Sequence, residues 1–151
     1  MTDIFDPVQF AEQVVTEQMD TKLIPVPVGT YNMLLEKYAV RQNQGKQDPT
    51  KVYVSLDITW EVLSEEVKAQ LGRDKVTVPQ SIMLDIENGR IAVGTGKNVG
   101  LGKLRQALGL NVPGEPFSLG MIAGRMAKGT VYHDPYNGEI YSKVKSVEAM
   151  N

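Results

Sequence analysis

Between residues 52 and 62 the chain alternates without a break. Val52, Val54, Leu56, Ile58, Trp60 and Val62 take every second position, and Tyr53, Ser55, Asp57, Thr59 and Glu61 take the others. A period of two sends successive side chains to opposite faces of a strand, so this segment has one core face and one wet face. Trp60 falls on the core face and Tyr53 on the wet one. Val76, Val78, Gln80, Ile82, Leu84 and Ile86 repeat the pattern and predict a further strand over residues 76–86. Pro79 has no N–H to give a ladder, so its position belongs at an edge or a bulge.

Other elements follow from punctuation. Asp6-Pro7 is an N-cap followed by proline at the first helical position, and Phe10, Val14 and Val15 continue at helical spacing, predicting a helix over residues 7–18. Pro25 and Pro27 then enforce an extended linker. Residues 30–40 read as a strand in which Tyr31, Met33 and Leu35 compete with Leu34, Tyr38 and Val40 for the inner face; a bulge would satisfy both sets. A polar, basic loop is expected over residues 41–51. Ser64 caps a short helix at 65–71 that stops at Gly72, and Asn88-Gly89 marks a tight hairpin into residues 91–93. Leu101, Leu104 and Leu108 form one helical stripe ending at Gly109. Ser118 starts a single turn, and strands at 125–133 and 139–147 flank the turn residues 134–138.

Five principal strands with a helix between the third and fourth predict a mostly β chain, a five-stranded OB-like barrel with a short N-terminal helix and small insertions. The first three strands lack the helical crossovers of a parallel α/β sheet, and a β-sandwich is the alternative. The chain divides into an acidic arm, residues 1–22, and a body, residues 23–151.

Charge divides in the same way. The net charge is -2, from 16 Lys+Arg and 18 Asp+Glu. Residues 1–20 hold Asp3, Asp6, Glu12, Glu17 and Asp20 and no base, a local -5; the other 131 residues carry all 16 bases and the other 13 acids, hence +3. A mildly basic body suits a polyanion, and a solvated surface explains it equally well. The absence of cysteine suits a reducing compartment and removes thiolate chemistry. No apolar run approaches a bilayer span, and the acids at the N-terminus disfavour a secretory signal, so a cytoplasmic protein with no membrane partner is expected.

Few residues promise catalysis. Gly94-Thr95-Gly96-Lys97-Asn98-Val99-Gly100 fails the P-loop pattern at Ile91 and Asn98 and the dinucleotide pattern at Val99. What remains is either a tight turn or a single-phosphate site made by helix-start N–H groups and Lys97. The single histidine, His133, reads as a surface residue rather than a general base. Asp85 and Glu87 read as strand-end solvation before a cation site. No enzyme, cofactor or metal is expected. Aromatic residues interleaved with bases are the remaining signal: Tyr53 near Lys51, and Tyr132, Tyr136 and Tyr141 near Lys143 and Lys145. They stack bases or pack across strands.

Several stretches are familiar together: Ile4-Phe5-Asp6-Pro7, Pro27-Val28-Gly29-Thr30-Tyr31, Ser81-Ile82-Met83-Leu84-Asp85, Gly96-Lys97-Asn98, Leu104-Arg105-Gln106-Ala107-Leu108-Gly109-Leu110 and Val144-Lys145-Ser146-Val147. In these the chain resembles small phage-encoded single-stranded DNA-binding proteins. The resemblance implies an OB-fold, sequence-tolerant binding of single-stranded DNA, and work in DNA replication or recombination beside proteins of those processes. Further copies of the chain are allowed as partners. The chain departs from many single-strand binders in ending Glu148-Ala149-Met150-Asn151 rather than in an acidic tail. The expected nucleic-acid contacts are Arg41, Lys46, Lys51, Lys75, Lys97 and Lys143 for phosphates and Tyr53, Tyr132 and Tyr136 for bases. A module that docks on a host or viral enzyme, or a minor structural protein, is the rival reading, supported by the acidic arm and the modest body charge.

Overall fold

The computed structural model of the chain describes residues 5–45, 48, 50 and 52–150. Five strands form one antiparallel sheet in the order β3-β2-β1-β6-β7. They are β1 (Gly29–Gln44), β2 (Val52–Val62), β3 (Thr77–Leu84), β6 (Met126–Tyr136) and β7 (Glu139–Glu148), with a separate small hairpin of β4 (Ile86–Glu87) and β5 (Arg90–Ile91). Among the described residues three α-helices accompany them, α1 (Pro7–Ala11), α2 (Glu65–Leu71) and α3 (Val99–Ala107), the last between β3 and β6 in the chain, together with a single 3-10 turn at Leu119–Met121. Among the described residues no ladder joins the outer strands β3 and β7, although they approach each other and α3 packs against both.

The alternation in β2 folds as expected from Leu56 onward, whereas at its start Val52 is exposed, Val54 half-buried and Ser55, expected on the wet face, is buried under its Asp57 and Asn43 bonds. Leu56, Ile58, Trp60 and Val62 are buried, and Tyr53 is exposed. Trp60 is fully enclosed, and its indole N–H donates to Gln80 Oε1 at 2.8 Å, so the ring brings no unpaired donor into the core. The competing inner faces of β1 are reconciled by a register shift between Leu35 and Lys37: Met33 and Leu35 point inward before it, and Tyr38 and Val40 sit opposite the inward Ile58 and Leu56 after it. At Gly129 an added Cβ would stand 2.5 Å from Met33 Sδ, so glycine lets this buried methionine cross β6.

Three sequence expectations need correction. The helix expected over 7–18 stops at Ala11. Its Asp6 cap forms, accepting from the Val8 N–H at 3.0 Å, but none of its residues is buried and the β-branched run Val14-Val15-Thr16 follows. A short helix without a packed face does not propagate. The expected loop at 41–51 begins later, because Arg41, Gln42, Asn43 and Gln44 extend β1 against Ser55, Val54, Tyr53 and Val52. The last turn is tighter than residues 134–138: strand pairing reaches Tyr136 and Glu139, leaving Asn137 (φ 51°) and Gly138 (φ 78°) as a two-residue turn in the left-handed region.

The linker into the body is part of the core rather than a tether. Val26 is 4% exposed, its N–H donates to Ser142 Oγ at 2.7 Å, and its carbonyl lies 2.6 Å from His133 Nε2. A carbonyl only accepts, so Nε2 carries the proton, and His133 is a half-buried clamp instead of a surface residue. Arg73 Nη2 donates to the Ile24 carbonyl at 3.3 Å and Lys22 Nζ to the Gly138 carbonyl at 2.9 Å. Residues 22–26 thus form a strap tied to the β6–β7 hairpin and to the segment leading into β3. Among the described residues no helix is long and apolar enough to cross a membrane.

Candidate functional site

Cross-strand partners share a face, so the ladders specify what the outer surface of β1, β2 and β3 presents. Thr77 lies beside Glu61; Pro79 beside Thr59 and Lys37; Ser81 beside Asp57 and Ala39; Met83 beside Ser55 and Arg41; and Tyr53 beside Asn43. Tyr53 and Met83 are 43% and 55% exposed, so one end of this face offers an aromatic ring and a thioether to solvent.

A polar network binds the three strands at the centre of the face. Asp57 Oδ2 accepts from Arg41 Nε at 2.8 Å, and Asp57 Oδ1 accepts from Ser81 Oγ at 2.9 Å and Ser55 Oγ at 3.2 Å. Asn43 Nδ2 donates to Ser55 Oγ at 3.4 Å. Partial burial pushes the Asp57 carboxyl up, but the bonds from Arg41 and Ser81, the Arg41 charge and the Ser55 bond outweigh it and leave the group below the usual carboxylate range. Arg41 is engaged through Nε, which leaves the other edge of its guanidinium toward solvent.

The opposite end of the face meets the β6–β7 hairpin. Lys75 stands just ahead of β3 and pairs with Glu36, whose hydrogen bond raises the ammonium pKa. Thr77 and Pro79 share a groove with Tyr141 and Lys143. On the hairpin, Tyr132 is opposite Lys143, Tyr136 opposite Glu139, and Tyr141 opposite Asp134, so three tyrosines and Lys143 share one face. Lys143 Nζ bonds Asp134 Oδ2 at 2.6 Å, which raises its pKa, and the Tyr141 hydroxyl donates to Glu139 Oε2 at 2.9 Å, which raises that phenol.

The expected site residues therefore separate into groups. Arg41 and Tyr53 stand together at one end of the β1–β2–β3 face. Lys143 reaches the groove at the other end, Tyr132 and Tyr136 share its face of the β6–β7 hairpin, and Lys75 stands ahead of β3 against Glu36. Lys46 and Lys51 lie outside the described residues. Lys97 lies apart, beyond the end of β3, 3.5 Å from Glu87. Its loop is built as a clasp. Asn98 is 7% exposed and holds φ 48°; its Oδ1 accepts from the Asp85 N–H at 2.7 Å, its Nδ2 donates to the carbonyls of Asp85 and Ala92 at 2.9 and 2.7 Å, and its own N–H donates to Asp85 Oδ2 at 2.7 Å. The Asp85 carboxylate thus takes the N–H of the residue that precedes α3, and Lys97 stands apart from the β1–β2–β3 face.

Sequence reasoning missed Asp57, Lys37 and the strap. Asp57 was visible only as one member of the wet stripe; nothing in its neighbours announced partners on two other strands. Among the described residues no group of acidic and histidine side chains is placed to hold a metal ion. The chain matches no protein-family model and no curated protein.

Proposed function

We propose that the chain is a sequence-tolerant single-stranded DNA-binding protein of phage type, acting in replication or recombination, whose site is the outer face of β1, β2 and β3. The observation that carries this reading is the placement of exposed Tyr53 and Arg41 at one end of the outer face of β1, β2 and β3, and of exposed Tyr141 with Lys143 in the groove that Thr77 and Pro79 share at the other. Rings stack on bases whatever the sequence, and bases of this spacing follow a backbone. The strand order and the approach of β3 to β7, with α3 against both, support an OB-like barrel whose β6–β7 hairpin and β1–β2 loop flank the groove.

A rival reading has its own support. Arg41, Lys75 and Lys143 each already hold a carboxylate, so the face offers less free positive charge than its base count suggests. A module that docks on a protein needs no free phosphate-binding charge. Fluorescence anisotropy with single-stranded and duplex oligonucleotides at low and moderate salt separates the two: preferential, salt-sensitive binding of the single strand supports the lead, and no binding of either supports the rival.

A further inference from the structure

The N-terminal arm and the groove beneath the strap complement each other in shape, polarity and charge. We infer that they join two copies of this chain, the arm of each copy lying in the groove of the other.

The arm is apolar and uncovered. Phe5, Val8, Phe10, Val14, Val15 and Met19 are 47–84% exposed, although Asp6 caps α1 and the rings of Phe5 and Phe10 stand 5.0 Å apart. Six large apolar side chains within residues 5–20 exceed the scattered exposure normal for a monomer and mark a surface that another molecule covers. The same residues hold Asp6, Glu12, Glu17 and Asp20 and no base. The required cover is therefore apolar with a positive rim.

The groove is apolar with an excess of bases, since Lys22, Arg73 and Lys143 line it against Glu139, whose carboxylate accepts from the Tyr141 hydroxyl. It encloses about 560 Å³ between the strap, the start of β3 and the β6–β7 hairpin. Leu23, Ile24, Pro79 and Ile140 line it, and Leu23, Ile24 and Ile140 are 81%, 53% and 51% exposed. Lys22 and Arg73 stand in its wall, each bonded to a backbone carbonyl and neither ion-paired with a described residue. A carbonyl orients such a cation without neutralising it, so both charges remain for a carboxylate. This distinguishes them from Arg41, Lys75 and Lys143.

The occupant is a second copy because of where the arm begins. Thr21 itself lines the groove, so the arm issues from its edge, and its own apolar residues remain outside. Two grooves facing across a two-fold axis exchange arms reciprocally and leave no open contact, the closed arrangement that favours dimers. With residues 7–11 helical at ~1.5 Å each and the rest extended at ~3.3 Å, residues 5–20 reach about 45 Å, enough to cross to a facing copy. The groove is also the one in which Thr77 and Pro79 meet Tyr141 and Lys143, so a docked arm and a bound single strand would compete for it, but arm docking does not rest on the nucleic-acid reading.

Sedimentation velocity on the full chain tests it. The wild type should sediment at twice the 16.7 kDa of one chain at high concentration and shift toward monomer as salt rises, since exposed charge contacts are screened. An arm variant, F5S/F10S, and a groove variant, K22E/R73E, should each be monomeric with unchanged circular dichroism. Mixed, they should regain a heterodimer, because the first keeps an intact groove and the second an intact arm. A wild type that stays monomeric, a dimer that survives either variant, or a mixture that stays monomeric would each overturn the inference; a monomer with the arm folded onto its own body falls in the first case.

Discussion

Trp60 and Tyr53 lie on one strand and face opposite ways, and their replacement by alanine should separate core from surface. Trp60→Ala removes a fully enclosed ring and the partner of Gln80, and should lower unfolding free energy by roughly 3–5 kcal/mol in chemical denaturation. Tyr53→Ala should leave stability near wild type and weaken single-strand binding by roughly 1–3 kcal/mol, with little dependence on base sequence. Asp57 adds a prediction in pH. Its folded pKa lies below the ordinary 3.8, so its contribution to stability is present above that value and is lost as pH falls through the folded pKa. Wild type should therefore be more stable than Asp57→Asn at neutral pH, and the gap should narrow as acid melts are taken below pH 3.8; a gap that stays constant as pH falls would contradict the assignment. The facings of Tyr53 and Trp60 were legible in the sequence because alternation is a local property. The partners of Asp57 were not, because Arg41 and Ser81 reach it only through strand register.

At the scale of elements, the strap is where local reading ran out. Pro25 and Pro27 announced an extended segment, but nothing in residues 22–26 revealed that Val26 would be buried between Ser142 and His133, more than a hundred positions away. His133→Ala removes one of two side chains bonding the Val26 carbonyl and should cost about 1 kcal/mol. The discriminating readout is hydrogen exchange: protection should fall at the Val26 amide before it falls in β2. Equal loss at both sites would mean that the strap has no separate stability. The opposite error occurred at α1, where capping chemistry was legible and correct but a partner for the helix's apolar side was assumed. In β1 the polar residues 41–44 concealed a strand, because its pairing with β2 needs only backbone groups and its side chains meet solvent.

Over the whole molecule the five strands and the helix between the third and fourth were accessible from element order, whereas the order β3-β2-β1-β6-β7 rests on pairings between distant strands. Charge was less accessible: counting bases along the chain could not show that Glu36, Asp57 and Asp134 would come to rest against Lys75, Arg41 and Lys143. These pairs set the expected strength of any polyanion site, because each phosphate must replace a carboxylate. With these three bases and the exposed Lys37 on the described surface, the slope of log affinity against log salt should be modest, about -3 for a single strand at roughly -0.7 per phosphate. The central claim is tested most directly by measuring that slope, through anisotropy titrations of one labelled single-stranded oligonucleotide and its duplex from low to moderate salt. A single strand bound more tightly than the duplex, with a slope near that value, is the result predicted here. Equal affinity for the two forms, or no binding at the lowest salt, would contradict it.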